Sequence, residues 1–373
     1  MKAANYKEHT VHFQLTYLHY IIPLDYTNMS AAKSDRPSTL KVWILASRPH
    51  TLTASISPVI VSYALVQHYS RNHITDPIIN IISFMFAAFA CFIQLATNLH
   101  NDYADFIKGA DTDKRVGQAR ATQKGWLTPF QTAAASTFCI LIATCIGIWL
   151  TYMTGRWDAY MIFVIVTSAF NAVCYTGGPF PLGYIGLGHL SIGYSGLGDI
   201  FVFLYFGLVA TVTVPYIYIV RMIHEENVGV IDVFQHELFM ASLMVALPIG
   251  FLATGIIVVN NLRDRLTDID VGKNTLAVKF GEAFVRFEYL SLVLGSFLML
   301  VPLAQIPILK GEASGDTNYW LFLPLLALPK ARVDLNAMGF RGKDGAALNP
   351  HVGGTAKIQL MYSILFAIGL RLQ

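Results

Sequence analysis

The sequence predicts an all-α, polytopic membrane protein, and three observations carry that expectation. Only 13% of the 373 residues are charged while 54% are hydrophobic, against about 25% charged in an ordinary soluble domain. Apolar runs near the roughly 20 residues needed to cross a bilayer core recur along the chain. The charged residues gather in the intervals between those runs. A lipid bilayer is therefore the expected surrounding, and a net charge of only +3 gives no reason to expect a nucleic-acid partner.

Residues 1–42 are mixed, with scattered His and Tyr and no long apolar run, and read as an N-terminal extension that is disordered or serves targeting. From Trp43 onward about nine spans are expected. They lie near 49–68, 78–98, 130–152, 158–176, 196–220, 238–260, 288–308, 318–329 and 357–370, the eighth short in its apolar part. Cys91, Cys139, Cys145 and Cys174 all fall in apolar runs without CxxC spacing, so they read as small buried hydrophobes. With these spans, all of the 26 Lys and Arg except Arg71, Arg156, Arg221, Lys310 and Arg371 fall on the side of the N-terminus. The positive-inside rule makes that side cytoplasmic, or its organellar equivalent.

Two segments on that side resemble each other. Asn98–Gly125 follows the second span and sets Asp102, Asp105, Asp111 and Asp113 among five Lys/Arg. The sixth span ends in Asn260-Asn261-Leu-Arg263-Asp264, followed by Asp268 and Gly272-Lys273. Each has asparagines, then two carboxylates three or four residues apart, then a Lys–Gly pair in one order or the other. A repeated unit of this kind places related sites across a bundle from one another. The stretch 176–198 differs, being glycine-rich, without a basic residue, and containing GYIGLG at Gly183 and GYSGLG at Gly193. No GK[ST] follows, so it is not a phosphate loop.

On a helix, residues i, i+3 and i+4 share a face. Asn98 with Asp102, Asn101 with Asp105, and Asp264 with Asp268 are such i,i+4 pairs, so each motif can present a fan of hard oxygen donors. Oxygen donors without His or Cys select Mg²⁺, which takes one or two carboxylates and fills its shell from phosphate and water. The expectation is a diphosphate bridging metal held from both motifs. Lys108, Arg115, Arg120, Lys124, Arg263 and Lys273 stand ready to neutralise phosphate oxygens. A diphosphate site at the edge of a membrane bundle suits a substrate whose remainder is a polyprenyl lipid. Tyr103 and Tyr175, beside polar segments, are candidates to face an allylic cation. A cation-coupled transporter is the alternative from another class. Its coupling acids belong near the midplane on broken helices, whereas these acids lie at span ends among Lys and Arg.

These residues resemble the UbiA superfamily of intramembrane prenyltransferases, most closely its 1,4-dihydroxy-2-naphthoate branch in menaquinone and phylloquinone biosynthesis. The resemblance runs from Trp43 onward, through N-D-Y-x-D-x-x-x-G-x-D at Asn101–Asp111, R-x-G-x-x-R at Arg115–Arg120 and the motif at Asn260–Ala277. Arg48-Pro49-x-Thr51, Tyr175-Thr176-Gly177-Gly178-Pro179, Leu348-Asn349-Pro350 and Gly354-Thr355-Ala356 support it. It implies that 43–373 is one prenyltransferase domain, a nine-helix bundle with a central cavity open laterally to lipid. It implies Mg²⁺ on Asn101, Asp102, Asp105, Asp264 and Asp268, the four aspartates being catalytic. Substrate contacts are then expected from Asn98, Asn101, Lys108, Arg115, Arg120, Lys124, Tyr175, Asn260, Asn261, Arg263 and Lys273.

The implied reaction joins a polyprenyl or phytyl diphosphate to 1,4-dihydroxy-2-naphthoate with loss of CO₂, giving demethylmenaquinol or demethylphylloquinol. Another aromatic acceptor (4-hydroxybenzoate, homogentisate or menadiol) on the same fold is the nearer alternative. The implied setting is the plasma membrane of a bacterium, or a plastid or other organelle membrane of a eukaryote. Two departures stand out. Gln118 occupies a position where the branch usually has Pro, and GYxGLG occurs twice where one copy is usual.

Overall fold

A computed structural model describes residues 36–71, 77–109, 116–155, 157–176, 197–223, 230–270, 272–310 and 317–372. The chain divides into units 1–41 and 42–373, and of the first only the last few residues are described. The expected extension therefore lies largely outside the described residues, as do Asp111, Asp113, Arg115 and the glycine-rich stretch 177–196.

Among the described residues the fold is helical throughout, with no strand. A short α1 (Thr39–Ser47) leads into α2 (Pro49–Tyr69). Then come α3 (Ile78–Ile107), α4 (Pro129–Met153) and α5 (Ala159–Cys174). After these follow α6 (Gly198–Ile223), α7 (Glu237–Asp270) and α8 (Leu276–Leu303). A 3-10 stretch at Tyr319–Ala327 continues into α9 (Leu328–Met338), and α10 (Asn349–Arg371) closes the bundle.

Starts follow local chemistry. Thr128 and Gln131 form a reciprocal capping box before α4, with Pro129 at the first helical position. Asp158 caps α5, accepting from the Met161 N–H at 3.0 Å, while Tyr216 donates to its other oxygen at 2.8 Å.

Among the described residues six helices are long and apolar enough to cross a bilayer: α3, α4, α6, α7, α8 and α10 with its 3-10 lead-in. The other three expected spans fall on α2, on the 16-residue α5 and on the 3-10 stretch with α9. In α2 low hydropathy reflects polar residues within the span, of which Ser62 and His68 are paired internally. Ser62 donates to the Pro58 carbonyl at 2.8 Å, and the two His68 ring nitrogens lie 3.1 and 3.0 Å from the carbonyls of Leu370 and Ile308. Such internal pairing is what a water-free interior demands.

The second and sixth spans, expected to end near 98 and 260, run on as helix through both motifs. Asn98–Ile107 is the last third of α3, and Asn260–Asp270 ends α7. Their i,i+4 pairing, which needed a helix, is thereby a property of the spans themselves.

At the centre stands α7, with 72% of its most apolar window buried, against 28% for the peripheral α4. It crosses α6 at a glycine pair: a Cβ on Gly207 would lie 2.6 Å from the Gly250 Cα. Here α6 widens into a π turn, Phe203–Val209, a feature common where a helix is reshaped around a site.

The crossing gives a stability test. Gly207→Leu forces backbone apart and should cost about 1–3 kcal/mol. Gly353→Ala in α10, where an added Cβ meets nothing within 4 Å, should be neutral or stabilising by up to about 1 kcal/mol. Thermal unfolding in detergent should show a marked drop for the first variant alone.

Candidate active site

Inside the bundle lies a cavity of about 790 Å³ walled by the start of α2, the ends of α3, α5 and α7, and the π region of α6. The character of the wall changes along its length. On α3 the lining runs from Ile93 and Gln94 through Asn98 and Asn101 to Asp105. On α7 it runs from Ala253, Ile256 and Ile257 through Asn260 and Asp264 to Asp268. Both helices are apolar deep in the bundle and acidic in their last turn, two residues from the end.

A helix C-terminus carries partial negative charge. Two such ends plus these carboxylates attract cations, and the structure supplies them. Arg120 Nη2 lies 2.7 Å from Asp105 Oδ2, both side chains being almost fully buried. Lys273 Nζ stands 3.8 Å from the same oxygen, so it reaches from the end of α7 to the end of α3. The Lys–Gly pairs explain the difference between the motifs. Gly109 and Gly272 turn the chain in left-handed conformation (φ 66° and 71°), the usual way a helix is closed. Lys108 precedes its glycine and donates to the Thr176 carbonyl, whereas Lys273 follows its glycine and turns back over the cavity. Burial lowers the Lys108 ammonium to about 8, Asp105 opposing that shift and Lys273 adding to it.

Of the expected site residues, Asn98, Asn101, Asp105, Arg120, Tyr175, Asn260, Asn261, Arg263, Asp264, Asp268 and Lys273 line the cavity. Asp102, Lys108 and Lys124 are not among its lining residues. Asp102 is rotated off the Asn98–Asn101–Asp105 stripe and accepts from the Ala121 and Thr122 N–H groups at 3.1 and 3.4 Å. It thus holds the turn that carries Arg120. Lys124 is exposed on that same turn. Tyr103 packs edge-on against His100 and is likewise absent from the cavity wall.

Several lining residues are struts. Asn98 donates to the Ser47 carbonyl (3.0 Å) and Thr51 Oγ1 (2.9 Å), fixing α3 to the start of α2. Asn101 accepts from the Thr176 hydroxyl. Arg263 grips Asp264 through two contacts of 2.8 and 2.6 Å, and also reaches Asn260 (2.7 Å) and Asn349 (3.2 Å). Asn349 in turn donates to the Val116 carbonyl at 3.0 Å, so α7, α10 and the segment after α3 are stitched together.

Sequence reasoning did not assign site roles to Arg48, His50, Thr51, Gln94, Gln118, Ser168, Asn171, Thr267 and Asp270, all of which line the cavity. Gln94 and Asn171 carried a legible signal, being amides within apolar runs. Arg48 is a non-glycine residue with φ 50° at the start of α2, an uncommon conformation that marks a tightly specified position.

Among the described residues no group of three or more His, Cys, Asp or Glu side chains could hold a metal by itself. The donor set is still hard oxygen only, one or two carboxylates with an asparagine from each helix. That suits Mg²⁺ sharing a substrate's phosphate oxygens and does not suit an all-protein cage.

Comparison with known proteins agrees with this architecture. The UbiA prenyltransferase family pattern matches residues 55–333. The 1,4-dihydroxy-2-naphthoate octaprenyltransferase of Escherichia coli (strain K12) is 30% identical over 341 residues, covering 89% of this chain and 96% of that protein. The protein of the same name from Bacillus subtilis (strain 168) is 28% identical, covering 88% and 91%. UbiA prenyltransferase domain-containing protein 1 of Mus musculus is 28% identical, covering 88% and 83%. On the span of that match and the acidic helix ends it encloses, this integral membrane protein belongs to the UbiA prenyltransferase family.

Proposed function

We propose that the protein transfers a polyprenyl or phytyl group from its diphosphate to 1,4-dihydroxy-2-naphthoate with loss of CO₂. The observation that carries this reading is the shared cavity onto which both acidic helix ends open, charged at one end and apolar beyond. The names of the bacterial relatives support the acceptor.

The diphosphate takes the charged end, where Arg120 and Lys273 supply positive charge to its oxygens. Mg²⁺, when bound, adds charge that stabilises the leaving diphosphate, and Asn101, Asp105, Asp264 and Asp268 are the residues that would hold it. Asp102 serves instead by fixing the Arg120 turn. Arg263 orients Asp264 and Asn260. The prenyl chain lies along Ile93, Ala253, Ile256 and Ile257, and Tyr175, Phe201 and Phe206 offer ring faces to the allylic cation. Those walls also keep water from it.

The prenyl C–O bond breaks and the diphosphate leaves with the electron pair. The ring carbon bearing the carboxylate forms the new C–C bond, and CO₂ departs, returning its bonding pair to the ring. With the basic residues gathered at the motif ends, the charged mouth faces the cytoplasm or its organellar equivalent.

Membranes containing the protein, given radiolabelled dihydroxynaphthoate and geranylgeranyl diphosphate, should form a lipid-soluble product only when Mg²⁺ is present. Absence of product under every metal condition, in a preparation that is folded by thermal melting, would sink the reading. Asp105→Ala and Asp264→Ala should each lower turnover by about a hundredfold or more while the protein stays in the membrane. Asp102→Asn keeps an oxygen for the Ala121 and Thr122 N–H groups, so it should retain at least about tenfold more turnover than Asp105→Asn. Equal loss in those two asparagine variants would refute the separate role given to Asp102.

A further inference from the structure

Asn171 lies on α5, one turn before Tyr175, and lines the cavity. Its Nδ2 is buried and has no hydrogen-bond partner among the described residues. The other carboxamides of the same wall are engaged. Gln94 donates to Thr51 and Asn98, and Asn98 to Ser47 and Thr51. Asn101 accepts from Thr176, Asn260 accepts from Arg263, Asn261 donates to Asp199 and Gln118 donates to the Leu45 carbonyl. Leaving a buried donor unmet is unfavourable, more so in a bundle surrounded by lipid. An apolar residue of similar size would avoid that penalty, and because Asn171 borders the cavity, a turn of its amide offers Nδ2 to a bound molecule.

The chemistry of the substrates narrows which group the amide meets. A donor needs an oxygen, and a prenyl tail has none. The diphosphate oxygens belong with Arg120, Lys273 and the acidic helix ends. Asn171 stands about 6 Å further along its helix from the Tyr175 end, beyond the strand of charge. A carboxylate is better met by the cations at the mouth, whereas an uncharged amide suits a hydroxyl or phenolate oxygen.

We propose that Asn171 recognises the aromatic acceptor, its side-chain amide donating a hydrogen bond to a ring hydroxyl oxygen. The assignment rests on the prenyl-transfer reading for the kind of molecule bound, and it adds a specificity-determining residue to that site. Ser168, one turn deeper on the same face of α5, continues the polar stripe.

The test uses full-length protein in detergent, with 1-hydroxy-2-naphthoate and 2-naphthoate as redox-stable probes whose binding is followed by tryptophan fluorescence. Wild type should bind the hydroxylated probe about tenfold more tightly than the other. Asn171→Leu and Asn171→Ala should erase that preference. In the transfer assay, KM for the acceptor should rise about tenfold in both variants, and KM for the prenyl diphosphate should stay within about twofold. Without ligand, Asn171→Leu should melt at or above the wild-type temperature, an outcome that a purely structural amide would not give. A preference retained in both variants would overturn the proposal, as would failure of wild type to bind either probe. Were wild type to bind with the expected preference yet transfer no prenyl group, the prenyl-transfer reading would fall and the Asn171 contact would stand.

Discussion

Asp105 is the carboxylate on which the charged end of the cavity depends. Its partners come from two directions, Arg120 from the segment after α3 and Lys273 from the turn after α7. Removing an ionised carboxylate from water is unfavourable by several kcal/mol, about as much as its ion pairs return. The pairing therefore adds little net stability. What it does is hold two cations at the cavity, one from each motif segment. Taking away Asp105 removes the carboxylate 2.7 Å from buried Arg120 and, with it, the Lys273 contact that links the ends of the two motif helices.

That arrangement also settles why the chemistry requires so many basic residues. Both motif helices aim their C-termini at the cavity, and both end in carboxylates, so the bare backbone would repel a diphosphate. Positive charge must come from side chains and from a bound cation. The struts then make sense as fixtures of geometry. Asp102 holds the Arg120 turn from below, and Asn98 ties α3 to α2. Arg263 with Asn349 ties α7 to α10 and to Val116. A membrane interior offers no water to satisfy a wandering polar group, so each strut ends on a partner.

Much of this was legible from residues alone. Low charge content with recurring apolar runs fixes a helical membrane bundle, since only helices or closed barrels satisfy their backbone in lipid. The doubled motif gave the two halves of a site, because i,i+4 spacing puts Asn101 with Asp105 and Asp264 with Asp268 whatever the helices pack against. Span number was harder to read. A helix such as α2 hides His68 in contacts with Ile308 and Leu370, far away in sequence, and hydropathy counts that residue as if it met lipid.

The sequence by itself determined the helical membrane class, the acidic pairs and the residue types able to hold a cation and a phosphate. These follow from composition and from a periodicity that every helix shares. Only the tertiary structure decided which of those residues share the cavity. Asp102 and Asp105 are three positions apart and look equivalent in the motif, yet the 60° between them on the helix turns one toward a backbone turn and the other into the cavity. The same holds for the Lys–Gly pairs, where the order of two residues sends Lys108 to the end of α5 and Lys273 across to Asp105. Periodicity ranks faces on one helix. Which face meets the cavity depends on how the neighbouring helices pack, and that is set by contacts distant in sequence.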